Sequence, residues 1–98
     1  MKLQLDQAAF EWYKNEMHLE KGDAVRLFVR YGGCSTVQSG FSLGVMKEQP
    51  IDIGVATEVD GVTFYIEEKD IWYLDDHSLR ITLNETYNEP SFDFYKES

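Results

Sequence analysis

The chain has 98 residues, which is room for one hydrophobic core and too few for a second. We therefore expect a single domain over residues 1–98. The 43% of hydrophobic residues argue against intrinsic disorder. Eighteen acidic and nine basic residues give a formal net charge of -9, which repels phosphate backbones and anionic lipid surfaces. The expected partners therefore include neither nucleic acid nor membrane.

The cysteine content and the N-terminal sequence indicate the compartment. Cys34 is the only cysteine, so no intramolecular disulfide can form, which suits a reducing cytosol. Asp6, Glu11 and Lys14 interrupt the apolar run that a signal peptide needs. No apolar run approaches the roughly 18 residues of a membrane span. We expect a cytoplasmic protein.

One amphipathic helix is predicted at the start of the chain. Asp6 is a suitable N-cap, and the helix is expected from about Gln7 to His18. Apolar residues recur there at helical spacing, namely Ala9, Phe10, Tyr13 and Met17. Gly22 predicts the end of the segment, and the apolar stripe predicts packing against a sheet.

Two alternating segments then predict a pair of strands. The first runs from Ala24 to Tyr31, and the second contains Phe41, Leu43 and Val45. A loop of small residues from Gly32 to Gly40 joins them, so the two strands are expected to pair with Cys34 near the bend.

The second half of the chain predicts further short strands. Asp60-Gly61 is a strong hairpin signal between Ile51–Val59 and the run that begins at Val62. More strands are expected at Ile71–Leu74, at Leu79 to Leu83 and at Phe92-Asp93-Phe94, with a polar turn at residues 75–78. The predicted fold is mainly β with one N-terminal helix, as a small sandwich or pseudobarrel of short strands.

Cys34 is the first candidate for chemistry. It lies in Tyr31-Gly32-Gly33-Cys34-Ser35, where the glycines permit positive φ and direct backbone N–H groups toward the sulfur. Such donors favour a thiolate, which binds metals or reacts. The alternative is that Cys34 is buried as a small apolar residue and that the glycines only form a turn.

A resemblance to a known family bears on that choice. Gly33-Cys34-Ser35, followed by Gly40-Phe41-Ser42-Leu43, resembles the Gly-Cys-Ser-Gly-Phe segment of the HesB/IscA-like, A-type iron–sulfur carriers, with residues 36–39 as an insertion. The similarity extends to five further short motifs in the same order: Gly22 to Leu27, Asp60-Gly61-Val62, Leu74-Asp75, Leu79 and Phe92-Asp93-Phe94. The resemblance implies a β-rich pseudobarrel and assigns Cys34 to a position that binds iron or a cluster.

The sequence departs from the family pattern at its C-terminal end. Family members continue past a Phe-x-Phe segment into a Cys-Gly-Cys pair, whereas only residues 95–98 follow Phe94 here. A cluster is normally held by four thiolates, and a symmetric dimer of this chain supplies two. Iron or an iron–sulfur cluster is therefore expected to be bound transiently at Cys34 or not at all.

The remaining polar candidates have simpler explanations. Asp75-Asp76-His77 offers metal-ligating atoms, but polar turn chemistry explains it. His18 is suited to the end of the helix, and Glu89, Asp93 and Glu97 suit a solvated acidic tail. No phosphate loop, dinucleotide fingerprint or paired-metal motif occurs, so we expect binding rather than enzymatic activity.

Three hypotheses follow for the function. The first is a HesB/IscA-like protein of iron–sulfur cluster biogenesis or iron handling that acts through Cys34, with a biogenesis component as partner and as a homo-oligomer. The second is a metal-independent protein-interaction module on the same fold, with an apolar surface around Phe92 and Phe94. The third is a thiol-redox sensor at Cys34.

Overall fold

The computed structural model describes residues 1–32 and 40–96. Its elements in chain order are strand β1 (Leu3–Leu5), helix α1 (Gln7–Met17), strands β2 (Ala24–Tyr31), β3 (Phe41–Lys47), β4 (Ile53–Val59) and β5 (Val62–Glu67), a 3₁₀ helix (Glu68–Leu74), and strands β6 (Ser78–Asn84) and β7 (Glu89–Tyr95). The described chain is mainly β, so the predicted fold class is confirmed.

The strands form two sheets. The larger sheet has the order β3-β2-β5-β4, and the smaller sheet has the order β1-β6-β7. Neighbouring strands are antiparallel except for two parallel pairs, β2 with β5 and β1 with β6. Aliphatic and aromatic side chains from both sheets and from α1 build one buried cluster, in which Leu27, Phe64 and Ile81 are fully buried.

Helix α1 follows the predicted pattern. The Asp6 carboxylate accepts a hydrogen bond from the Ala9 N–H at 2.8 Å, and the apolar stripe is buried, with the Phe10 ring edge-on to Phe64. The helix ends earlier than Gly22, because His18 adopts the left-handed conformation with φ 54° and the Leu19 N–H bonds to the Lys14 carbonyl.

The two predicted hairpins are both confirmed. Strand β2 has the predicted bounds, and its register with β3 runs from Val25 opposite Lys47 to Tyr31 opposite Phe41. In the second hairpin Val59 lies opposite Val62. Asp60 and Gly61 between them have φ of 50° and 81°, as a tight two-residue turn requires.

Two elements differ from the sequence prediction. Residues 71–74 are not a strand but the end of the 3₁₀ helix, in which Tyr73 and Leu74 are both buried while Trp72 is exposed. The Asp75 N–H donates to the Trp72 carbonyl, three residues back, which is the hydrogen bond of a 3₁₀ turn and not of a strand. Strand β1 was not predicted because three residues are too short for a periodic signal; it forms beside β6, where the Leu79 N–H donates to the Lys2 carbonyl at 2.8 Å.

Candidate functional site

The β2–β3 hairpin brings the chain to the position of the candidate cysteine. Tyr31 and Phe41 are the last paired residues, and beyond them the Gly32 N–H donates to the Gly40 carbonyl at 2.7 Å. Gly32 has a φ of 101°, so the positive φ expected for this glycine pair is observed there. Cys34 itself lies outside the described residues, and its assignment as a metal or cofactor ligand stays a prediction.

Three aromatic side chains lie at the base of this hairpin end. The rings of Tyr31 and Phe41 are edge-to-face with centroids 5.5 Å apart, and Phe41 packs in the same way on Trp72 at 5.4 Å. The outer two are exposed, Tyr31 at 92% and Trp72 at 51% of their surface, whereas Phe41 is half-buried. We call Tyr31, Phe41 and Trp72 the aromatic end of the molecule.

The aromatic end is fixed to the core rather than free on the surface. Trp72 packs edge-to-face on Tyr73 at 6.2 Å, and Tyr73 packs on Phe94 of β7 at 6.0 Å. Because Tyr73 is fully buried, the series of rings connects the exposed pair with the interior. Trp72 is therefore held in orientation before any partner arrives, and Tyr31 packs beside it on Phe41.

A charged cluster fixes the 3₁₀ helix that carries Trp72. Arg26 of β2 donates to the carboxylates of Glu48 at 3.0 Å and of Asp70 at 3.1 Å, and Asp70 belongs to the 3₁₀ helix. The side chains of Arg26 and Asp70 are largely buried, so these charge-assisted bonds are poorly screened by water. They tie the helix to the larger sheet.

The buried side chain of Glu67 anchors the chain just before the same helix. Its two carboxylate oxygens accept the N–H groups of Ile51 at 2.9 Å and Asp52 at 2.7 Å. The bond from Ile51 lowers the pKa of Glu67 from its ordinary value; burial opposes this, and the bond from Asp52 lowers it further. Glu67 therefore holds the segment before β4 against the larger sheet in its ionised form.

The other polar candidates have structural roles. The His77 Nδ1 lies 3.0 Å from the Leu74 carbonyl and 2.9 Å from the Asp75 carbonyl, and Asp75 and Asp76 occupy left-handed turn positions. His18 forms the C-cap of α1. Within residues 1–32 and 40–96, no three His, Cys, Asp or Glu side chains converge as a metal site. The described donors alone therefore do not fit a resident metal.

The apolar surface expected around Phe92 and Phe94 stays a prediction, and Phe92 lines an open groove together with Leu43 and Val45 of β3. Both rings are half-buried and pack against the core, whereas the exposed aromatic side chains among the described residues are Tyr31, Trp72 and Tyr87. The sequence feature that could have indicated an exposed ring at Trp72 is the segment Ile71-Trp72-Tyr73-Leu74, in which large side chains follow one another without alternating with polar ones. Such a run does not fit a half-buried strand, and in the structure it puts one large ring outside.

Comparison with known proteins gives relatives along nearly the whole chain. A family model described as iron–sulphur cluster biosynthesis matches residues 1–97. The chain is 53% identical over 94 residues to a Bacillus subtilis protein named pyruvate dehydrogenase inhibitor, covering 96% of this chain and 99% of that protein. Uncharacterized proteins of Staphylococcus saprophyticus and Staphylococcus aureus are 40% and 35% identical over 95 residues, covering 94% of this chain and 97% of each protein.

The part of the chain that the structure describes contains no helix long and apolar enough to cross a membrane.

Proposed function

The chain belongs to the HesB/IscA-like family of iron–sulphur cluster biosynthesis proteins, and from this premise we propose that it is a protein-binding, non-enzymatic inhibitor of a pyruvate dehydrogenase. The observation that carries the proposal is the 53% identity to the Bacillus subtilis inhibitor over nearly the full length of both chains. The match covers 99% of the relative's own length. We therefore develop the second sequence hypothesis, a metal-independent protein-interaction module.

The aromatic end is suited to contact the target enzyme. Tyr and Trp are enriched among the residues that contribute most to protein–protein affinity, and Tyr31 and Trp72 expose such rings side by side with Phe41. Because Trp72 already packs against Tyr73, little of its side-chain entropy is lost on binding. The net charge of -9 favours a target surface rich in Lys and Arg.

A second candidate function is transient iron or cluster binding at Cys34, and the family to which the chain belongs favours it. Two thiolates per dimer leave a four-thiolate cluster with open positions. We therefore expect protein purified in air to carry no stoichiometric cluster. Absorbance and metal analysis check this, and a stable coloured protein with about one cluster per dimer would contradict it.

Enzyme inhibition separates the two candidates. The chain is titrated into the Bacillus subtilis pyruvate dehydrogenase complex while NADH formation is recorded, with and without an iron chelator. We expect saturable inhibition that the chelator does not change and that Cys34→Ser retains. Loss of inhibition in Cys34→Ser, or dependence on added iron, would favour the second candidate instead.

The double variant Tyr31→Ala/Trp72→Ala tests the aromatic end. Two central interface residues are together worth at least about 2 kcal/mol, so we expect inhibition to weaken by about 30-fold or more. Tyr87→Ala is the matched control, because Tyr87 is an aromatic residue exposed at 73% in the turn between β6 and β7. Equal inhibition by both variants would exclude the aromatic end as the contact surface.

A further inference from the structure

Strand β3 is an edge strand whose outer side is unpaired within residues 1–32 and 40–96. In the larger sheet it lies at the end of the order β3-β2-β5-β4 and pairs only with β2. An unpaired edge presents a row of N–H and C=O groups on which another extended segment can add as a strand.

The register identifies which backbone groups point outward. The Gly32 N–H donates to Gly40 and the Glu48 N–H donates to Ala24, so the pairs at both ends of the ladder are hydrogen-bonded pairs. Hydrogen-bonded and non-hydrogen-bonded pairs alternate in an antiparallel ladder. The outward N–H and C=O groups are therefore those of four residues of β3: Phe41, Leu43, Val45 and Lys47.

The same strand borders an open groove lined by apolar and charged side chains. Leu43 and Val45 form one wall, the β7 residues Pro90 and Phe92 form the other, and Met17 of α1 lies between them, around a volume of about 710 Å³. Strand β7 is also an edge strand, but Pro90 has no N–H to offer. Every β3 residue at the groove has an N–H, whereas β7 lacks one at Pro90, so β3 is the more complete edge for backbone pairing.

Charge indicates what the groove accepts. Glu16 of α1 and Glu89 of β7 are exposed at the groove and outnumber its one cation, Arg30. The net charge of -9 on the whole chain adds attraction for a cationic segment. It also opposes a second copy of this chain, which carries the same charge.

We infer that the groove and the free edge of β3 bind an extended segment of a partner protein in which apolar residues alternate with Lys or Arg. The segment adds to β3 through the backbone of Leu43 and Val45, and its apolar side chains enter the groove. Its cationic side chains lie on the opposite face of the added strand, where the net charge of -9 on the chain attracts them. This inference rests on the proposed function only in that both require a protein partner.

A synthetic peptide tests the inference with the full chain. The probe is a fluorescently labelled eight-residue peptide of alternating Leu and Lys, whose binding is followed by fluorescence anisotropy. Two matched peptides carry backbone N-methyl groups, one on the Leu residues and one on the Lys residues, with all side chains retained. In a strand added to β3, the N–H groups of every second residue face β3 and the others face away. We therefore expect one methylated peptide to bind at least tenfold more weakly than the unmethylated peptide, and the other to bind with an affinity within about twofold of it.

Protein variants place the binding on β3. Val45→Pro removes an outward N–H and leaves the bonds to β2 intact, and Leu43→Lys puts a cation into the groove without changing the backbone. Ala56→Pro on β4, the opposite edge of the same sheet, is the control. We expect Val45→Pro and Leu43→Lys to bind the peptide at least tenfold more weakly than the unmodified chain does. The control should bind it with an affinity within about twofold of the unmodified chain. Circular dichroism checks that each variant is folded.

Some outcomes would overturn the inference. Equal binding of all three peptides would show attraction by charge alone, and peptide-reversible dimers in light scattering would show that a second copy occupies β3. Absence of peptide binding by the unmodified chain, with inhibition of the dehydrogenase intact, would contradict this inference and leave the proposed function standing. Peptide binding by a chain that does not inhibit the enzyme would contradict the proposed function alone.

Discussion

Replacement of Gly61 by valine tests the hairpin that orders the larger sheet. Gly61 has a φ of 81°, and its carbonyl accepts the Gly22 N–H at 2.9 Å, so the turn is held to the segment before β2. An L-residue in the left-handed region loses about 1–2 kcal/mol, and a β-branched residue lies at the upper end.

The surroundings of Gly61 add little to this cost. A Cβ there would lie 2.5 Å from the Cγ of Lys21, and this long, exposed side chain can move aside. We therefore expect Gly61→Val to lower the free energy of unfolding by about 2 kcal/mol. For a chain of this size that corresponds to a fall in melting temperature of roughly 8–16 °C.

Urea denaturation at constant pH gives the measurement. Gly61→Asn is the control, because asparagine tolerates the left-handed conformation, and we expect it to lose less than about 1 kcal/mol. An unchanged midpoint in Gly61→Val, or equal losses for valine and asparagine, would refute the reasoning from φ.

Three further predictions concern the charged groups and the helix end. The pKa of Glu67 lies below its ordinary value of 4.5, so its contribution to stability is present above that pH and is lost as the pH falls through the folded pKa. We therefore expect the urea midpoint of Glu67→Gln to depend less steeply on pH below about pH 5 than that of the unmodified chain. An equal pH dependence in both proteins would contradict this. Arg26→Met leaves Asp70 without its ion pair and should cost about 2–3 kcal/mol, while adding Asp70→Asn should recover part of the loss in thermal unfolding. His18→Gly should raise stability by about 0.5–1 kcal/mol, since His18 has a φ of 54°; a lower melting temperature would contradict it.

Local signals made much of the fold predictable. The Asp6 cap, the alternation of Ala24–Tyr31 and the Asp60-Gly61 turn each act over a few residues, and each gave the correct element. Strand β1 depends on β6, far along the chain, so its three residues carry no signal of their own.

The candidate site was predictable only in part. Cys34 was chosen by its glycine turn and by family resemblance, and the structure shows the hairpin that delivers the chain to it. The aromatic end was missed because Tyr31 and Trp72 come from distant segments that only the fold brings to Phe41. Exposure of a large ring depends on tertiary packing, which a run of apolar letters does not show.

The rate of NADH formation by the Bacillus subtilis pyruvate dehydrogenase complex, recorded against increasing amounts of the metal-free chain, tests the central claim most directly. The proposal predicts a rate that falls and saturates with added protein, that stays low in the presence of chelator, and that recovers when Tyr31→Ala/Trp72→Ala replaces the unmodified chain. A rate that stays constant at every ratio of chain to enzyme would contradict it.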